Sequence, residues 1–280
     1  MMQVQERMDK DAIDSGRNVE DLLRLLICSD LRRQLVLSLG NGKATVADLR
    51  AQVGVSSAAA IHALRELEKQ NVTYQDDKRQ YLLTNIGQIM AAKIGSFTDT
   101  VGILDQHRKF WLEHDLTGIP QTSLRRLGCL KGSHLITSSP TEVYKVFSTF
   151  ATLLGNANEI RGVSPIFFPD LIDVFVGLVA KGKKPELVVT REVLDKMLEL
   201  TDRNELQKAL EATLKLFVIE YNPKIAFTVT DYVLTMGLFR WDGTYDDTSD
   251  LLCYTSDGLR WGEKLFAHYV AECEAVVLEK

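Results

Sequence analysis

The stretch from Thr45 to Gly87 constrains this chain most. Thr45 with Asp48 three residues on is a helix-opening pair, in which each side chain satisfies the other's free backbone N–H. Gly54 closes that helix, and Ser56 or Ser57 opens the next, where Ala60, Leu64 and Leu67 recur at helical spacing and form a buried stripe. Val72–Gln75 and Gln80–Leu83 read as two short strands around the polar turn Asp76-Asp77-Lys78-Arg79. Helix, tight turn, helix and a hairpin with two cations at its tip, in so short a span, leave few folds open.

Two amphipathic helices are expected ahead of this segment, Val19–Cys28 and Leu31–Leu39, the second capped by Ser29 or Asp30 and ended by Gly40-Asn41-Gly42. Thr84 caps a further helix. The plan is that of a winged helix-turn-helix, in which one helix lies across a DNA backbone while the next presents its N-terminal face to base edges. Here that face is Ser56, Ser57, Ala58, Ile61, His62 and Arg65, and the hairpin tip offers Lys78 and Arg79 to phosphate or a minor groove. Double-stranded DNA is the expected partner. Ala58 and Ile61 stand where basic or polar groups commonly read bases, so thymine methyl contacts and DNA shape carry more of the expected specificity. The alternative use of such a module is protein–protein contact.

The run Val55-Ser56-Ser57-Ala58-Ala59-Ala60-Ile61-His62-Ala63-Leu64-Arg65-Glu66-Leu67-Glu68, with the later Tyr81-Leu82-Leu83-Thr84-Asn85-Ile86-Gly87, resembles winged-helix repressors of the arsenical-sensor type. The metal-ligating Cys or His clusters of some of those repressors have no counterpart here.

At 280 residues the chain has room for two domains. Residues 1–95 hold 13 basic and 12 acidic side chains, whereas the remainder holds 20 and 26. That asymmetry fits a near-neutral reader joined to an acidic second domain and argues against a general nucleic-acid coat. Cys28, Cys129, Cys253 and Cys273 are scattered, without a C-x-x-C pair, which excludes a zinc finger and suits buried, reduced thiols. The first eighteen residues are polar, carrying Glu6, Asp9, Asp11 and Asp14, so a polar tail is expected there rather than a signal peptide. No long apolar run predicts a membrane span. The expected location is the cytoplasm, with no membrane and no cofactor.

Gly118-Ile119-Pro120 marks a boundary, beyond which strands and helices alternate. Strands are expected at His134–Thr137, Ile160–Val163, Glu186–Val189, Leu214–Glu220, Ile225–Asp231, Tyr232–Phe239 and Leu251–Tyr254. Ser139-Pro140-Thr141-Glu142 predicts a helix start, Asp242-Gly243 a hairpin, and Asp257 to about Leu278 a last helix. The expected class is therefore multi-domain α+β: a tail (1–18), a winged helix (19–93), a connector helix (94–118) and an α/β domain with a helix-covered sheet (119–280). Along the connector, Ile94, Phe97, Val101, Leu104 and Trp111 alternate at spacings of three and four, interrupted by Arg108. Such a seam suits a homodimer or packing within the chain's own domain.

Three later runs carry a second resemblance. They are Phe110-Trp111-Leu112-Glu113-His114-Asp115-Leu116-Thr117-Gly118-Ile119-Pro120, Asp242-Gly243-Thr244-Tyr245-Asp246, and Trp261-Gly262-Glu263-Lys264-Leu265-Phe266-Ala267-His268-Tyr269. With Gly162-Val163-Ser164-Pro165 and Gly237-Leu238-Phe239-Arg240, their order is similar to that of the archaeal methanogenesis regulatory proteins of the Fil type. The resemblance covers most of the chain and implies a transcription regulator with a sensing or dimerising α/β domain. A more distant one links Lys224–Asp231 to the core strand of the phospholipase D-like fold, whose enzymes need His-x-Lys-x-x-x-x-Asp. Aligned on Asp231, this chain has Lys224 and Ala226 at the nucleophile and phosphate-clamp positions, so a phosphodiesterase is the least favoured alternative. Some archaeal sugar-responsive regulators resemble the same arrangement, reused as a ligand pocket. Arg161, Lys224, Tyr232, Arg240 and Tyr245, at strand ends and in loops, are the candidate effector residues, and three cations among the five suit a small anionic metabolite. His107 and His114 share a helix face without a third ligand nearby, so no metal site is expected.

Overall fold

The computed structural model describes residues 19–201 and 203–276; the expected polar tail, 1–18, lies outside the described residues. Two compact units divide between Phe97 and Thr98.

The first unit opens with α1 (Val19–Ile27) and α2 (Asp30–Gly40), followed by α3 (Val46–Val53) and α4 (Ser57–Lys69). Ser29 Oγ accepts from the Arg32 N–H to start α2, and Thr45 and Asp48 form the reciprocal capping pair at the head of α3. Gly54 takes the left-handed conformation, φ +75°, that ends α3 and sets the turn into α4. β1 (Thr73–Gln75) and β2 (Tyr81–Leu83) form the hairpin. Leu26, Leu35, Leu49, Leu64, Leu67 and Val72 are fully buried and close one core, on which Ile94 of α5 (Asn85–Gln106) also packs. Thr84 caps α5 by accepting from the Gly87 N–H at 3.0 Å.

The second unit contains α6 (Arg108–Glu113), β3 (His114–Asp115), α7 (Gln121–Leu124), β4 (His134–Thr137), α8 (Lys145–Asn156), β5 (Glu159–Ser164) and α9 (Asp170–Ala180). It continues with β6 (Lys184–Thr190), α10 (Arg191–Leu200), α11 (Arg203–Ala212), β7 (Lys215–Ile219), β8 (Ile225–Thr230), β9 (Leu234–Arg240), β10 (Ser249–Cys253), α12 (Ser256–Val270) and β11 (Glu274–Ala275). The strands join in the order β11-β7-β6-β5-β8-β9-β10-β4, with β3 pairing the far end of β9. β5, β6 and β7 are mutually parallel and the other neighbours antiparallel, giving a mixed sheet with helices on it.

One face of that sheet carries Val163, Val188, Phe227, Met236 and Leu251, which align across the strands and pack under α12 in the largest core. Two glycines of α12 bring it close. A β-carbon at Gly258 would collide with the Cys253 sulfur, and one at Gly262 would lie 2.8 Å from Leu234 Cδ1.

Four of the expected local features differ in the structure. α8 begins at Lys145, because Ser139 and Glu142 close a local turn in which Ser139 Oγ accepts from the Glu142 N–H; a turn uses the helix-opening hydrogen bond without propagating it. The last helix ends at Val270, and β11 follows by pairing β7. The expected long connector breaks at His107, between α5 and α6. Cys28, expected to be buried, is exposed.

Candidate functional site

In the first unit, Ser56 caps α4 by accepting from the Ala59 N–H at 3.2 Å. Ala60, Ala63, Leu64 and Leu67 turn one face of α4 into the core, so the opposite face is left outward. Ser56, Ser57, Ala58, His62 and Arg65 are exposed and Ile61 is half-buried. In the hairpin, Asp76 Oδ1 accepts from the backbone N–H of both Lys78 and Gln80, at 2.9 and 2.8 Å. This fixes the turn, in which Arg79 adopts φ +58°, a left-handed conformation uncommon outside glycine. Lys78 and Arg79 are exposed, and their side chains form no ion pair among the described residues. Lys43 and Arg50 are further exposed cations of this unit that the motif does not single out.

The expected α5 seam divides. Phe97, Val101 and Leu104 are 60%, 46% and 38% exposed, and Ile86 and Ile89 extend the same helical stripe toward the N-terminus. Ile94 is committed to the first core, and Trp111 is buried in the second, its indole N–H donating to the Ile103 carbonyl at 3.0 Å.

The second unit disperses the expected effector residues. Lys224 donates to Asp115 at 2.8 Å, and that bond foremost lowers the Asp115 carboxyl to about 2. Arg240 pairs with buried Asp246 at 2.9 Å, Arg161 lies between Glu159 and Glu186, and the Tyr232 hydroxyl donates to the Leu153 carbonyl. Each cation expected to attract an anion has a carboxylate partner, and the cationic cluster expected for an anion does not form. Lys224 also borders a polar recess with Tyr221, His268 and Glu272, whose carboxylate accepts from the Tyr221 hydroxyl and lies 3.4 Å from His268. Asp231 accepts from the backbone and side-chain N–H groups of Asn158 and from the Glu159 N–H, so it ties β8 to the start of β5. His114 donates from Nδ1 to the Phe110 carbonyl and from Nε2 to Asp246, and His107 contacts the Ser133 carbonyl; both are internal struts.

Tyr245 is the one expected effector residue at the larger, mainly apolar cavity. That cavity, about 260 Å³, lies on the sheet face opposite α12. Its floor is set by strand register: Leu187 pairs Gly162, Gly162 pairs Thr228 and Thr228 pairs Thr235 in one row, and Ala226 lies two residues before Thr228 on the same strand face. Gly162 and Ala226 leave room where larger side chains would fill it. Phe147 and Phe150 of α8, Leu171 and Phe175 of α9, and Val193 and Met197 of α10 form the roof.

At one end stand Tyr245 and Asp250. A β-carbon at Gly237 would strike the Tyr245 hydroxyl and lie 2.6 Å from Asp250 Oδ1, so both groups converge over that glycine. Asp250 Oδ1 is buried with no hydrogen-bond partner. Burial, followed by the negative charge of Asp246, raises the Asp250 carboxyl to about 7. Burial also pushes the Tyr245 hydroxyl well above its ordinary range. Asp250 is the residue that sequence reading missed. Its one sequence signal is a carboxylate inside the apolar strand Ser249–Cys253, which marks burial without naming its surroundings.

Residues 20–102 match the model of the N-terminal domain of methanogenesis regulatory protein FilR1, and residues 143–272 match that of its middle domain. Methanogenesis regulatory protein FilR1 of Methanothrix harundinacea is 26% identical over 257 residues, covering 90% of this chain and 57% of that protein. The chain thus spans just over half the length of its curated relative. Among solved structures, the archaeal chromatin protein TrmBL2 is similar at 15% identity over 91% of this chain and 97% of its own, with a TM-score of 0.42. The phospholipase D family member Nuc of Salmonella typhimurium is similar at 11% identity over 52% of this chain and 99% of its own, at 0.38. Scores this low fix neither fold nor function. The two domain models fall in order on the two units of the structure, and the chain belongs to the FilR1 family of methanogenesis regulatory proteins.

Proposed function

We propose that this protein is a cytoplasmic transcription regulator that binds double-stranded DNA as a homodimer and responds to a small molecule held in its α/β domain. The observation that carries the DNA reading is the outward face of α4, from Ser56 to Arg65, together with a wing whose Lys78 and Arg79 have no internal ion pair. Side chains left outward and uncompensated are what a phosphate backbone recruits. Membership in a family of regulators supports the same reading. Among the described residues no helix is long and apolar enough to cross a membrane.

Dimerisation is assigned to the outward stripe of α5, namely Phe97, Val101 and Leu104. A two-fold dimer presents two equal heads, and its operator is an inverted repeat. The test is fluorescence anisotropy on duplex DNA from the gene's own upstream region and on a scrambled duplex, across a salt series. Tighter binding to the first duplex, falling steeply with salt, is expected. Equal weak binding to both, or none, would favour a protein partner for the winged helix, a use that the half-buried Ile61 and exposed Ala58 on its reading face would suit.

A further inference from the structure

The cavity of the second unit holds more information about its ligand than its volume. Five features are independent of one another. Its floor is hollowed by Gly162 and Ala226 on two adjacent strands. Its roof is aromatic, with the Phe147 and Phe168 rings 5.6 Å apart at one side. Its polar end presents Asp250, whose side chain accepts no hydrogen bond among the described residues although it is buried. Asp170 and Asp247, both exposed, add two more carboxylates to the lining. Finally, no Lys, Arg or His lines the cavity among the described residues.

A buried carboxylate without a partner is costly, and a structure that keeps one inside an otherwise apolar space gives it something to bind. An anion would face three carboxylates and no cation. A purely apolar molecule would leave Asp250 unsatisfied. A molecule with an apolar, ring-sized body and one protonated nitrogen satisfies both parts. Its body lies among the phenylalanines, which also favour a cation over their ring faces. Its N–H groups donate to Asp250 and to the oxygen of the Tyr245 hydroxyl. The size is suitable: an apolar cavity of about 150 Å³ holds benzene, and this one, at about 260 Å³, leaves space for a ring and a short chain.

We propose that the cavity is a binding site for a hydrophobic organic amine, with Asp250 as the counter-ion and Tyr245 as the second polar contact. The proposal rests on the reading of the α/β domain as a sensor and replaces the anionic metabolite expected from the sequence. It depends on nothing about DNA.

The test is isothermal titration of the full-length protein with three near-isosteric probes: 2-phenylethylamine, 2-phenylethanol and phenylacetate. At pH 8 the amine is expected to bind at least tenfold more tightly than the alcohol, with the acid weakest. Asp250→Asn is expected to reduce that preference to less than threefold. Because only the ionised carboxyl pairs with the amine, wild-type affinity for the amine is also expected to fall at least tenfold between pH 8 and pH 5.5. This second measurement needs no variant and holds if Asp250→Asn fails to fold. Equal binding of all three probes, a preference for the acid, a pH-independent amine affinity, or no binding of any probe would overturn the proposal. DNA anisotropy with and without 2-phenylethylamine separates the two readings. Amine binding with DNA affinity unchanged keeps the ligand site and removes its regulatory role, whereas DNA binding by a protein that ignores the amine does the reverse.

Discussion

At the residue scale, two buried carboxylates four positions apart behave in opposite ways. Asp246 loses solvation on burial, but donors from His114, Ser249 and Thr248 outweigh that loss and hold it well below the ordinary carboxylate range. His114 is likewise penalised by burial, yet its bonds to Asp246 and the Phe110 carbonyl raise its pKa, and both of its ring nitrogens donate. A raised folded-state pKa on His114 gives stability that is complete below the ordinary histidine value of 6.5 and is lost as pH rises through the folded value. Asp246→Asn breaks this pair and should cost about 3–5 kcal/mol, with less loss of stability as pH rises above 6.5 than the wild type shows; urea titrations at several pH values measure both. Asp250 has the reverse sign. Its folded pKa near 7 lies above the unfolded one, so its ionisation weakens the fold as pH rises from about 4 to above 7. Asp250→Asn should therefore stabilise the ligand-free protein by about 1–3 kcal/mol at pH 8 and by less at pH 5, read from melting curves at the two values. None of these effects is visible in the sequence, because His114 and Asp246 meet across 132 positions and Asp250 acquires its surroundings from other strands.

At the scale of the element, the caps were legible and the partners were not. Thr45–Asp48, Ser56, Gly54 and Thr84 act within four residues of themselves, so their spacing alone identifies α3, α4 and α5. The Ser139–Glu142 turn shows the limit of that logic, since the same short-range bond closes a turn where nothing propagates a helix. Periodicity likewise located the apolar stripe on α5 but not its use: Ile94 and Trp111 are internal, while Phe97, Val101 and Leu104 are outward. If that outward stripe joins two copies, Phe97→Asp/Val101→Asp yields a monomer in analytical ultracentrifugation with unchanged helix content; a persistent dimer would place the interface elsewhere. On α12, Gly258→Ala forces Cys253 aside and should cost about 1–3 kcal/mol by overpacking, measurable by chemical denaturation.

For the whole molecule, the winged helix and the α/β domain divide the work proposed here. Lys78→Ala/Arg79→Ala removes two cations from each wing without touching a core, so stability should hold while DNA affinity drops and the slope of log affinity against log salt falls by about four for a dimer with both wings on DNA. A slope unchanged from wild type would remove the wing from the interface. By itself the sequence determined the order of the units, the helix-turn-helix with its hairpin, and the alternation of strands and helices behind them. Those features depend on periodicity, capping and turn chemistry, which act between near neighbours. Tertiary structure alone decided that Lys224 and Arg240 serve Asp115 and Asp246, and that Gly162, Ala226 and Asp250 share one hollow of the sheet. Strand order and register bring those residues together from distant parts of the chain, and a one-residue slip in pairing would turn each of them to the other face.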